Sequence, residues 1–584
     1  MGIIGMTNIG IVSGEVYNIG QGQEYETIAS FAGWTELLPG DHVRIHPGTY
    51  KELIVLMQSG TEENPIVIEG VPDTEGNLPV LDGDGAIVPA QFDPHLSHYD
   101  IGGGSIAQGY GMIFIHGSLR DDPYGWGPEH IVIKNLELRS AIGEFYSFTN
   151  SEGNVQFYPG ASSGIYIKTG NNILVENCVI HDNGNGLDIQ GVDSMVHNVT
   201  VRGCHIYGNG RTDGRFDREH NVYTEASGVV FEYNLIGPIR QGSGGSALKD
   251  RSADTVIRYN VIYSGARTLD LVEPENQAGS IDCDGTGDRT GSMHAEPGFN
   301  ETWVYGNVFI NTAQDGNTFS ANMFHYGADN CPAASRSGTL YFYNNLIYTD
   351  ISQGERWYIR LFDPTSNRES IEFYNNAFVN VGTTNVYMGN SAGVFNWRGG
   401  NFIGGDYYDL RDGSSGVWNE EVGIIEGGVS GVINNPILNN FLIPNESALI
   451  GAGVPLPLEI TSRHDVDRYY EDRGYVLRSS FSDIGAFESG VEVPACEVNW
   501  SCSSWGECLG GFENRSCVDL AGCGVLDGRP EERRVCGEVV CHVADLSDPC
   551  DGVDTEELIV YIGFWESGGV SIGDVMGAVV VWLG

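Results

Sequence analysis

The chain has 584 residues, and 78 acidic residues against 30 basic ones give it a formal net charge of −48. This acidity disfavours nucleic acid or an anionic membrane as a partner, and no stretch of the sequence is long and apolar enough to span a membrane. The 82 glycines and an apolar content of only 41% favour many short strands joined by tight turns over helical bundles. We therefore predict an all-β protein, in which an acidic ligand would need local basic residues or bound cations.

The first residues, MGIIGMTNIGIVSG, lack the basic start and the long apolar run of a signal peptide. If the protein is exported, either its true start is missing or export follows another route. Residues 39–52 (PGDHVRIHPGTYKE) and 59–68 (SGTEENPIVI) resemble the opening of the pectate-lyase-like β-helix superfamily, and residues 482–488 (SDIGAFE) resemble its closing strand. The resemblance implies that residues 1–490 form a right-handed parallel β-helix, a solenoid that presents a long polar groove to an acidic polysaccharide.

Within this region a short block recurs, in which alternating apolar residues run into an Asn or Gly and then into further apolar residues. The turn residues of eight blocks are Asn135, Asn177, Gly203, Asn234, Asn260, Asn307, Asn345 and Asn376. Their spacing ranges from 26 residues, between Asn234 and Asn260, to 47 residues, between Asn260 and Asn307. A constant minimum with longer excursions is typical of a solenoid with loop insertions. Asn at this turn predicts stacked amides in the left-handed region of backbone space.

A second strand precedes several of these blocks, as in GIYIK (164–168), GLDIQ (186–190), NVYTE (221–225), ALKDR (247–251) and TLDLV (268–272). Strand residues alternate between two faces, and one set is predicted to face the core: Ile165, Ile167, Leu187, Ile189, Val222, Leu248, Leu269 and Leu271. The opposite set is called the polar stripe here: Tyr166, Lys168, Asp188, Gln190, Tyr223, Glu225, Lys249, Arg251 and Asp270. A solvated sheet face is polar by default. However, insertions at residues 208–220 and 273–298 flank this one, and long loops on one side of a solenoid usually build a binding site.

The basic residues of the polar stripe suggest chemistry on uronates. β-Elimination needs a cation that neutralises the uronate carboxylate and a base that removes the adjacent proton. Residues 246–260 (SALKDRSADTVIRYN) resemble the lysine-bearing strand of lyases in the superfamily, in which a Lys or Arg is the base and Asp or Glu holds calcium. The resemblance implies that Lys249 is the base and that Arg251 clamps the substrate carboxylate or stabilises charge. The alternative is that Lys249 is an ordinary surface lysine.

The remaining candidate residues, on the polar stripe and beside it, have less specific interpretations. His220 and Tyr223 are predicted to orient a sugar or to supply the acid for the leaving oxygen, although His220 could equally cap a loop end. Three residues are predicted to bind substrate: Tyr166, Lys168 and Gln190. Three carboxylates are predicted to hold calcium, or to provide an acid pair for a glycoside hydrolase: Asp188, Glu225 and Asp270. A loop calcium site, or merely a solvated acidic loop, is suggested by the spacing of Asp282, Asp284 and Asp288.

These patterns rank three functions. The leading hypothesis is a lyase that cleaves a uronate-containing polysaccharide by β-elimination. A glycoside hydrolase or a uronate epimerase on the same scaffold comes second, because the fold alone does not decide among them. The third is a non-catalytic surface adhesin or cell-wall protein, in which the β-helix is a rigid spacer.

The cysteines predict an oxidising, extracellular or cell-surface location. Eight of the twelve lie beyond residue 495, at Cys496, Cys502, Cys508, Cys517, Cys523, Cys536, Cys541 and Cys550. Residues 491–541, with interleaved Trp500, Trp505, Arg515 and Arg534, resemble a thrombospondin type 1 repeat, in which Trp and Arg stack. Residues 542–584 resemble a degenerate dockerin or EF-hand pair, with Asp545, Asp551, Asp554 and Glu557 resembling loop ligands. Both modules suggest a cell-surface or scaffold partner.

The other four cysteines belong to the β-helix region. Cys178 and Cys204 share one slot in successive coils and are expected to stack inside, bonded or not. Cys283 and Cys331 could close the acidic loop. No histidine-activated thiol arrangement is evident for either pair, so neither is predicted to be catalytic.

Overall fold

The computed structural model describes residues 14–92, 108–117, 127–191, 196–213, 218–276, 293–312, 322–355, 358–389, 392–408, 416–433, 443–462, 468–471, 474–477, 483–487, 500–502, 505, 512–514, 517–519 and 533–535. The chain divides into two compact units, residues 1–495 and 496–584. The first unit is a right-handed parallel β-helix, so the predicted fold class is confirmed. Among the described residues, no helix is long and apolar enough to cross a membrane.

Three long parallel sheets form the β-helix, and each complete coil of the chain contributes one strand to each sheet in turn. The first sheet contains Val16–Ile19, His42–Ile45, Ile66–Gly70, Glu129–Lys134, Asn171–Glu176, His197–Arg202, Ser227–Glu232, Thr255–Arg258, Glu301–Tyr305, Thr339–Tyr343, Ser370–Tyr374, Val394–Gly399 and Val417–Glu420. The second contains Thr49–Tyr50, Val80–Asp82, Glu137–Arg139, Val179–His181, His205–Tyr207, Leu235–Ile236, Val261–Tyr263, Val308–Thr312, Leu346–Asp350, Ala377–Asn380, Phe402–Gly404 and Ile425–Gly427. The third contains Ile54–Leu56, Gly111–Ile115, Ser163–Ile167, Asn185–Gln190, Val222–Glu225, Leu248–Asp250, Leu269–Leu271, Asn322–Tyr326, Tyr358–Pro364, Asn385–Tyr387 and Tyr407–Tyr408.

Smaller elements decorate this unit. A three-stranded sheet joins Ala86–Ile87, Ser147–Thr149 and Val155–Phe157, and a hairpin joins Arg468–Glu471 to Gly474–Leu477. Short 3-10 helices lie at Ala32–Thr35, Ala90–Phe92, Met293–Ala295 and Pro332–Ala334, and a single α-helical turn lies at Leu458–Thr461. The coil connections are therefore almost entirely turns and loops in the described part of the chain.

The core of the β-helix follows the predicted alternation. All eight residues predicted to face inward on the third sheet are completely buried. They pack with their counterparts from the other two sheets, such as Ile173 and Val175 of the first sheet and Ile180 of the second, in one continuous cluster. Because the side chains of each strand alternate between its two faces, the polar stripe necessarily lies on the outer face of the third sheet.

An asparagine ladder runs inside the turn between the first and second sheets. The backbone N–H of Asn234 donates to Oδ1 of Asn260 at 2.9 Å, and the same bond links Asn260 to Asn307 and Asn307 to Asn345, each at 3.0 Å. The ladder continues through Asn376 to Asn401. Each of these amides is buried, so the ladder satisfies backbone groups that would otherwise be orphaned in the core.

The predicted position of this ladder was wrong for part of the chain. The residue in the left-handed region and the ladder residue are neighbours, not one residue. In the early coils the left-handed residue is the asparagine itself, with φ of +58° at Asn135 and +52° at Asn177. In later coils it is the residue before the ladder asparagine, with φ of +58° at Tyr233 and +57° at Tyr259. The residues after Asn177 and Gly203 are Cys178 and Cys204, which occupy the ladder slot itself. The backbone N–H of Cys204 donates to Asn234 Oδ1 at 2.9 Å, and the backbone N–H of Cys178 donates to Cys204 Sγ at 3.4 Å.

These two cysteines therefore stack inside the helix as predicted, and both are free thiols. Burial, together with the neighbouring Cys204, raises the pKa of the Cys178 thiol well above its usual value, so it stays protonated. Cys331 is disulfide-bonded, whereas Cys283, its predicted partner, lies outside the described residues.

The second unit is described only in part. Trp500–Cys502 pairs antiparallel with Cys517–Asp519, and Phe512–Asn514 pairs antiparallel with Arg533–Val535. Cys502 is disulfide-bonded. The predicted dockerin-like ligands Asp545, Asp551, Asp554 and Glu557 lie outside the described residues, as does Arg515.

Candidate functional site

The third sheet places the polar stripe in register across five consecutive strands. Tyr166 pairs with Asp188, Asp188 with Tyr223, Tyr223 with Lys249, and Lys249 with Asp270. Gln190 pairs with Glu225 in a second row, on the side where Lys168 and Arg251 follow their own strands. The predicted alignment of these five strands is therefore confirmed. The first row extends beyond the prediction, through His325 and Asp363 on the next two strands.

The polar stripe is not the open surface that alternation suggested. Apart from Gln190, which is partly exposed, its members are all buried, including Lys168 at 1% and Glu225 at 0% exposure. For Tyr223, Glu225, Lys249 and Arg251 the physical reason is that loop residues contribute ion-pair and hydrogen-bond partners from above the sheet. Residues 273–276 and 329–331 are the two loop segments that do this.

Lys249 lies at the centre of the network. Its Nζ donates to Asp270 Oδ2 and to Asp329 Oδ2, each at 2.8 Å. Asp270 Oδ1 also accepts from Arg267 Nη1 at 2.7 Å and lies 2.7 Å from His325 Nδ1. Burial alone would raise the pKa of Asp270, but the charges of Lys249 and Arg267 and the contact with His325 bring it well below its usual range. Asp270 is therefore a fixed anion that holds three neighbours.

Arg251 is held by four acceptors. Its Nη1 donates to the backbone carbonyl of Glu273 and lies 3.6 Å from that residue's carboxylate. Its Nη2 lies 3.5 Å from Glu275 and 3.7 Å from Asp329. The guanidinium is buried at 3% exposure, which makes each of these electrostatic contacts stronger than it would be in water.

Two glutamates fix the loops that cover the polar stripe. Glu225 accepts hydrogen bonds from the backbone N–H groups of Glu275 at 2.9 Å and Asn276 at 3.1 Å. Glu273 accepts three, from backbone Asp329 at 2.6 Å and from Asn330 and Cys331 at 2.7 Å each. Charge-assisted bonds of this type are short and strong. Glu225 thus places Glu275 near Arg251, and Glu273 places Asp329 on Lys249.

His220 and Tyr223 lie beside this cluster, as predicted. Their rings stack with centroids 5.8 Å apart. His220 Nδ1 accepts from the backbone N–H of Ser246 at 2.8 Å, so the ring proton is on Nε2. Burial, reinforced by the charge of Lys249, lowers the pKa of His220 to about 3. His220 is therefore a neutral hydrogen-bond donor at physiological pH and not a base.

Tyr223 is also held in its neutral form. Burial raises its pKa well above the usual value. Its hydroxyl donates to Glu275 Oε2 at 3.2 Å and lies 3.5 Å from the Gln190 amide. The raised pKa keeps the Tyr223 phenol protonated but makes it a weaker acid, so it could give its proton only to a strongly basic leaving oxygen.

Asp188 begins a second, less charged part of the stripe. It accepts from the Asn185 amide at 3.0 Å through Oδ2, while Oδ1 is buried with no hydrogen-bond partner among the described residues. Burial raises its pKa to about 7, against the opposing effects of Asn185 and Lys168. Tyr166, which pairs with Asp188 on the neighbouring strand, packs against Phe114 with ring centroids 5.4 Å apart. Lys168 Nζ lies 5.9 Å from the centre of the Tyr166 ring.

The three carboxylates predicted to hold calcium do not converge. Asp188 and Asp270 are separated by three strand spacings, about 14 Å, whereas calcium binds oxygens at about 2.3–2.6 Å. Glu225 is engaged by the backbone of residues 275–276, and Asp270 by Lys249, Arg267 and His325. Within the described ranges, no group of three or more His, Cys, Asp or Glu is arranged to hold a metal. These residues therefore do not fit one calcium ion, while Asp282, Asp284 and Asp288 lie outside the described residues.

Sequence reasoning missed five residues of the cluster: Arg267, Glu273, Glu275, His325 and Asp329. His325 follows from extending the strand alignment by one coil, and Glu273 and Glu275 lie in an insertion already expected to flank the site. Asp329 follows Lys249 by 80 positions in a loop with no repeat pattern. Nothing in the sequence signalled its position.

One surface depression of about 500 Å³ lies elsewhere, near the N-terminal end of the β-helix, where Lys51, Glu52 and Tyr50 line part of it. It contains none of the stripe residues. We regard the Lys249 cluster as the better candidate, because it brings together predicted catalytic groups with perturbed pKa values, whereas the depression combines an exposed lysine with a glutamate that caps backbone N–H groups.

Fold and cluster together define a parallel β-helix with a buried ionic site on one sheet. Residues 146–347, which include the whole Lys249 cluster, match the family model described as right handed beta helix region. No curated protein sequence matches the chain significantly.

Several solved structures are similar in fold. A pectate lyase is 14% identical with a TM-score of 0.41, over 82% of this chain and 98% of its own. A lacto-N-biosidase from Eubacterium ramulus is 13% identical with a TM-score of 0.33, over 71% and 68%. The A-module of a mannuronan C-5 epimerase from Azotobacter vinelandii is 11% identical with a TM-score of 0.32, over 67% and 91%. A lyase, a hydrolase and an epimerase are all represented, so these likenesses select no reaction. The family model ends at residue 347 and therefore does not address the two predicted C-terminal modules.

Proposed function

We propose that the protein acts on an acidic polysaccharide outside the cell, as a lyase that cleaves a uronate-containing chain by β-elimination at the Lys249 cluster. The observation that carries this proposal is the convergence of Lys249, Arg251 and Arg267 on the carboxylate of Asp329. Three cations around one carboxylate form the kind of setting that neutralises a uronate. In β-elimination this neutralisation makes the proton on the adjacent carbon acidic.

The roles follow from the positions of the side chains. Arg251 and Arg267 bind the substrate carboxylate, and Lys249 removes the proton from the neighbouring ring carbon. The electron pair of that C–H bond forms the new carbon–carbon double bond, and the bond to the glycosidic oxygen on the next carbon breaks. The leaving oxygen takes a proton from the Tyr223 hydroxyl, while His220 donates a hydrogen bond from Nε2 to orient the sugar.

Lys249 must change its partners before it can act as the base. A lysine accepts a proton only as the free amine, and here Nζ is held as a donor by two carboxylates. Release of either carboxylate frees Nζ to turn towards the substrate. The proposal therefore requires that one of them, Asp270 or Asp329, leaves Nζ when substrate binds.

The decisive test is the appearance of unsaturated uronate, measured by its ultraviolet absorbance, on pectate, alginate and glycosaminoglycans with and without calcium. Lys249→Ala should abolish the signal, with a loss of at least about a hundredfold expected for a general base. Lys134→Ala is the matched control, because Lys134 also pairs with a carboxylate, that of Glu69, but lies on the first sheet. If the wild type produces no unsaturated product on any substrate, the lyase proposal fails.

A hydrolase is the second candidate, and Asp188 is the observation that favours it. This buried carboxyl has one oxygen without a partner among the described residues and a pKa raised to about 7, which suits a general acid. Glu225, on the neighbouring strand, would be the second carboxylate. New reducing ends without ultraviolet absorbance, lost in Asp188→Asn but retained in Lys249→Ala, would replace the lyase by the hydrolase. Binding without any product would instead point to the adhesin.

Extracellular location is part of the same proposal. The disulfide-bonded state of Cys331 and Cys502 supports an oxidising compartment. We further propose that residues 491–541 and 542–584, through their resemblance to thrombospondin and dockerin modules, attach the β-helix to a cell surface or scaffold. Calcium stays a proposal for the acidic residues 282–288 and for residues 542–584, and chelation followed by thermal unfolding tests it.

A further inference from the structure

The Asp329 carboxylate is bound as a ligand would be. Its Oδ2 accepts from Lys249 Nζ at 2.8 Å and lies 3.7 Å from Arg251 Nη2, while its Oδ1 lies 3.2 Å from Arg267 Nη1. Both oxygens are used, and each faces a different set of cations. The three cations come from two neighbouring strands of the third sheet and the residues beside them, but Asp329 comes from a loop.

Asp329 is also the more accessible of the two carboxylates on Lys249. Its side chain is 19% exposed, compared with 1% for Asp270. The backbone of residues 329–331 is anchored by the three hydrogen bonds to Glu273. Asp329 can therefore leave the cations by rotation about its own Cα–Cβ bond, without movement of the loop.

We propose that Arg251 and Arg267, beside Lys249, form a carboxylate-binding subsite that the protein fills with its own Asp329 when no substrate is bound. This inference rests on the proposed function, because it identifies the displacing ligand as the carboxylate of a uronate. Binding is then an exchange: the uronate carboxylate takes the place of Asp329, and Asp329 turns towards solvent.

The charge balance of the cluster requires such an exchange. The ion pairs comprise three cations and four carboxylates, namely Asp270, Glu273, Glu275 and Asp329. A uronate added to this set would be a fifth carboxylate against three cations, which like-charge repulsion disfavours at low dielectric. Exchange of one carboxylate for another leaves the balance unchanged.

Removal of the Asp329 charge should preserve the fold. Lys249 and Arg267 keep Asp270 at 2.8 and 2.7 Å, and Arg251 keeps Glu273 and Glu275. No cation is left buried without a carboxylate, and the charges become three against three. Asp329→Asn should therefore melt close to the wild type, and Asp329→Ala provides a second variant of the same charge.

The test is the affinity of Asp329→Asn for galacturonate, guluronate, mannuronate and glucuronate. These monosaccharides have no glycosidic bond to cleave, so binding is measured without turnover, by titration calorimetry or by NMR. The methyl ester of galacturonate is the uncharged control ligand. Asp350→Asn is the control variant, because it makes the same change in net charge at an exposed residue of the second sheet.

We expect Asp329→Asn and Asp329→Ala to bind at least one uronate about tenfold or more tightly than the wild type. A displaced state populated at about 0.1–10% weakens the apparent affinity by the reciprocal of its population. The methyl ester should bind the variant and the wild type equally, and Asp350→Asn should bind uronates as the wild type does.

The outcomes separate this inference from the proposed function. If both Asp329 variants bind uronates equally or more weakly than the wild type, while the wild type still forms unsaturated product, Asp329 does not occupy the substrate subsite. The proposed lyase function is then unaffected. If no uronate binds any variant and no polysaccharide is cleaved, the proposed function falls and the inference falls with it.

Discussion

Glu273→Gln isolates the contribution of one buried carboxylate to the geometry of the site. The wild-type carboxylate accepts three backbone hydrogen bonds: Oε2 takes the Asp329 N–H, and Oε1 takes those of Asn330 and Cys331. Glutamine keeps only one oxygen, so at least one N–H loses its acceptor and faces the new amide N–H₂. A hydrogen bond to a charged acceptor contributes about 1.5–3 kcal/mol. We therefore expect the loop at residues 329–331 to lose roughly 2–3 kcal/mol of local stability.

This loss should be measured by amide hydrogen exchange, resolved by residue or short peptide. A local destabilisation of that size predicts exchange about 30- to 150-fold faster at residues 329–331. Glu225→Gln is the matched control, since the same substitution two coils earlier should release residues 275–276 and leave 329–331 protected. Unchanged exchange at residues 329–331 in Glu273→Gln would refute the anchoring role and, with it, the argument that Asp329 moves by side-chain rotation alone.

Three further outcomes are expected. Burial alone would lower the pKa of His181, but contacts with Asp182 and Glu137 outweigh it and raise the pKa to about 9. The protonated ring therefore stabilises the folded protein fully below about pH 6.5. This contribution, about 3 kcal/mol, is lost as the pH rises towards 9. His181→Asn should flatten that part of the stability profile in chemical denaturation, and an unchanged slope would contradict the assignment. Asp250→Asn should cost about 3–5 kcal/mol in the same assay, because it leaves the fully buried Arg336 guanidinium without its counter-ion, and a cost below about 1 kcal/mol would show that the pair relaxes. Uronate polymers should associate faster as salt rises from about 0.01 to 0.1 M, because screening weakens their repulsion from a chain of net charge −48; a rate that falls with salt in stopped-flow measurements would contradict this.

The sequence allowed the fold and the strand register to be predicted because both depend on periodic signals. The alternation of Leu248 and Lys249 or of Leu269 and Asp270 has a period of two, and the coils repeat that pattern at a near-constant minimum length. Core residues and outward residues were therefore separable before any coordinates. The asparagine ladder was misplaced by one residue in the early coils, because Asn177 at the left-handed position looks the same in sequence as Asn234 at the ladder position.

The site was predictable only as far as it lies on strands. Lys249, Tyr223 and Asp270 came from the repeat, whereas Asp329 and Glu275 come from loops whose paths depend on hydrogen bonds to Glu273 and Glu225. The burial of the stripe was missed for the same reason. A periodic pattern states which face a side chain occupies, but it does not state what covers that face.

The net charge of the chain helps to explain why the cations of the Lys249 cluster are paired with carboxylates of the same chain. In a protein with 78 acidic and 30 basic residues, clustered basic side chains readily find carboxylates of the same chain as partners. The observed arrangement is consistent with that tendency, since every cation of the cluster is paired and the most accessible pairing partner of Lys249 is a side chain free to rotate on a fixed backbone. Selection for a uronate would then depend on how well its carboxylate, with the sugar ring attached, competes with Asp329 for Arg251 and Arg267. It would not depend on long-range attraction, which for this chain acts in the opposite direction.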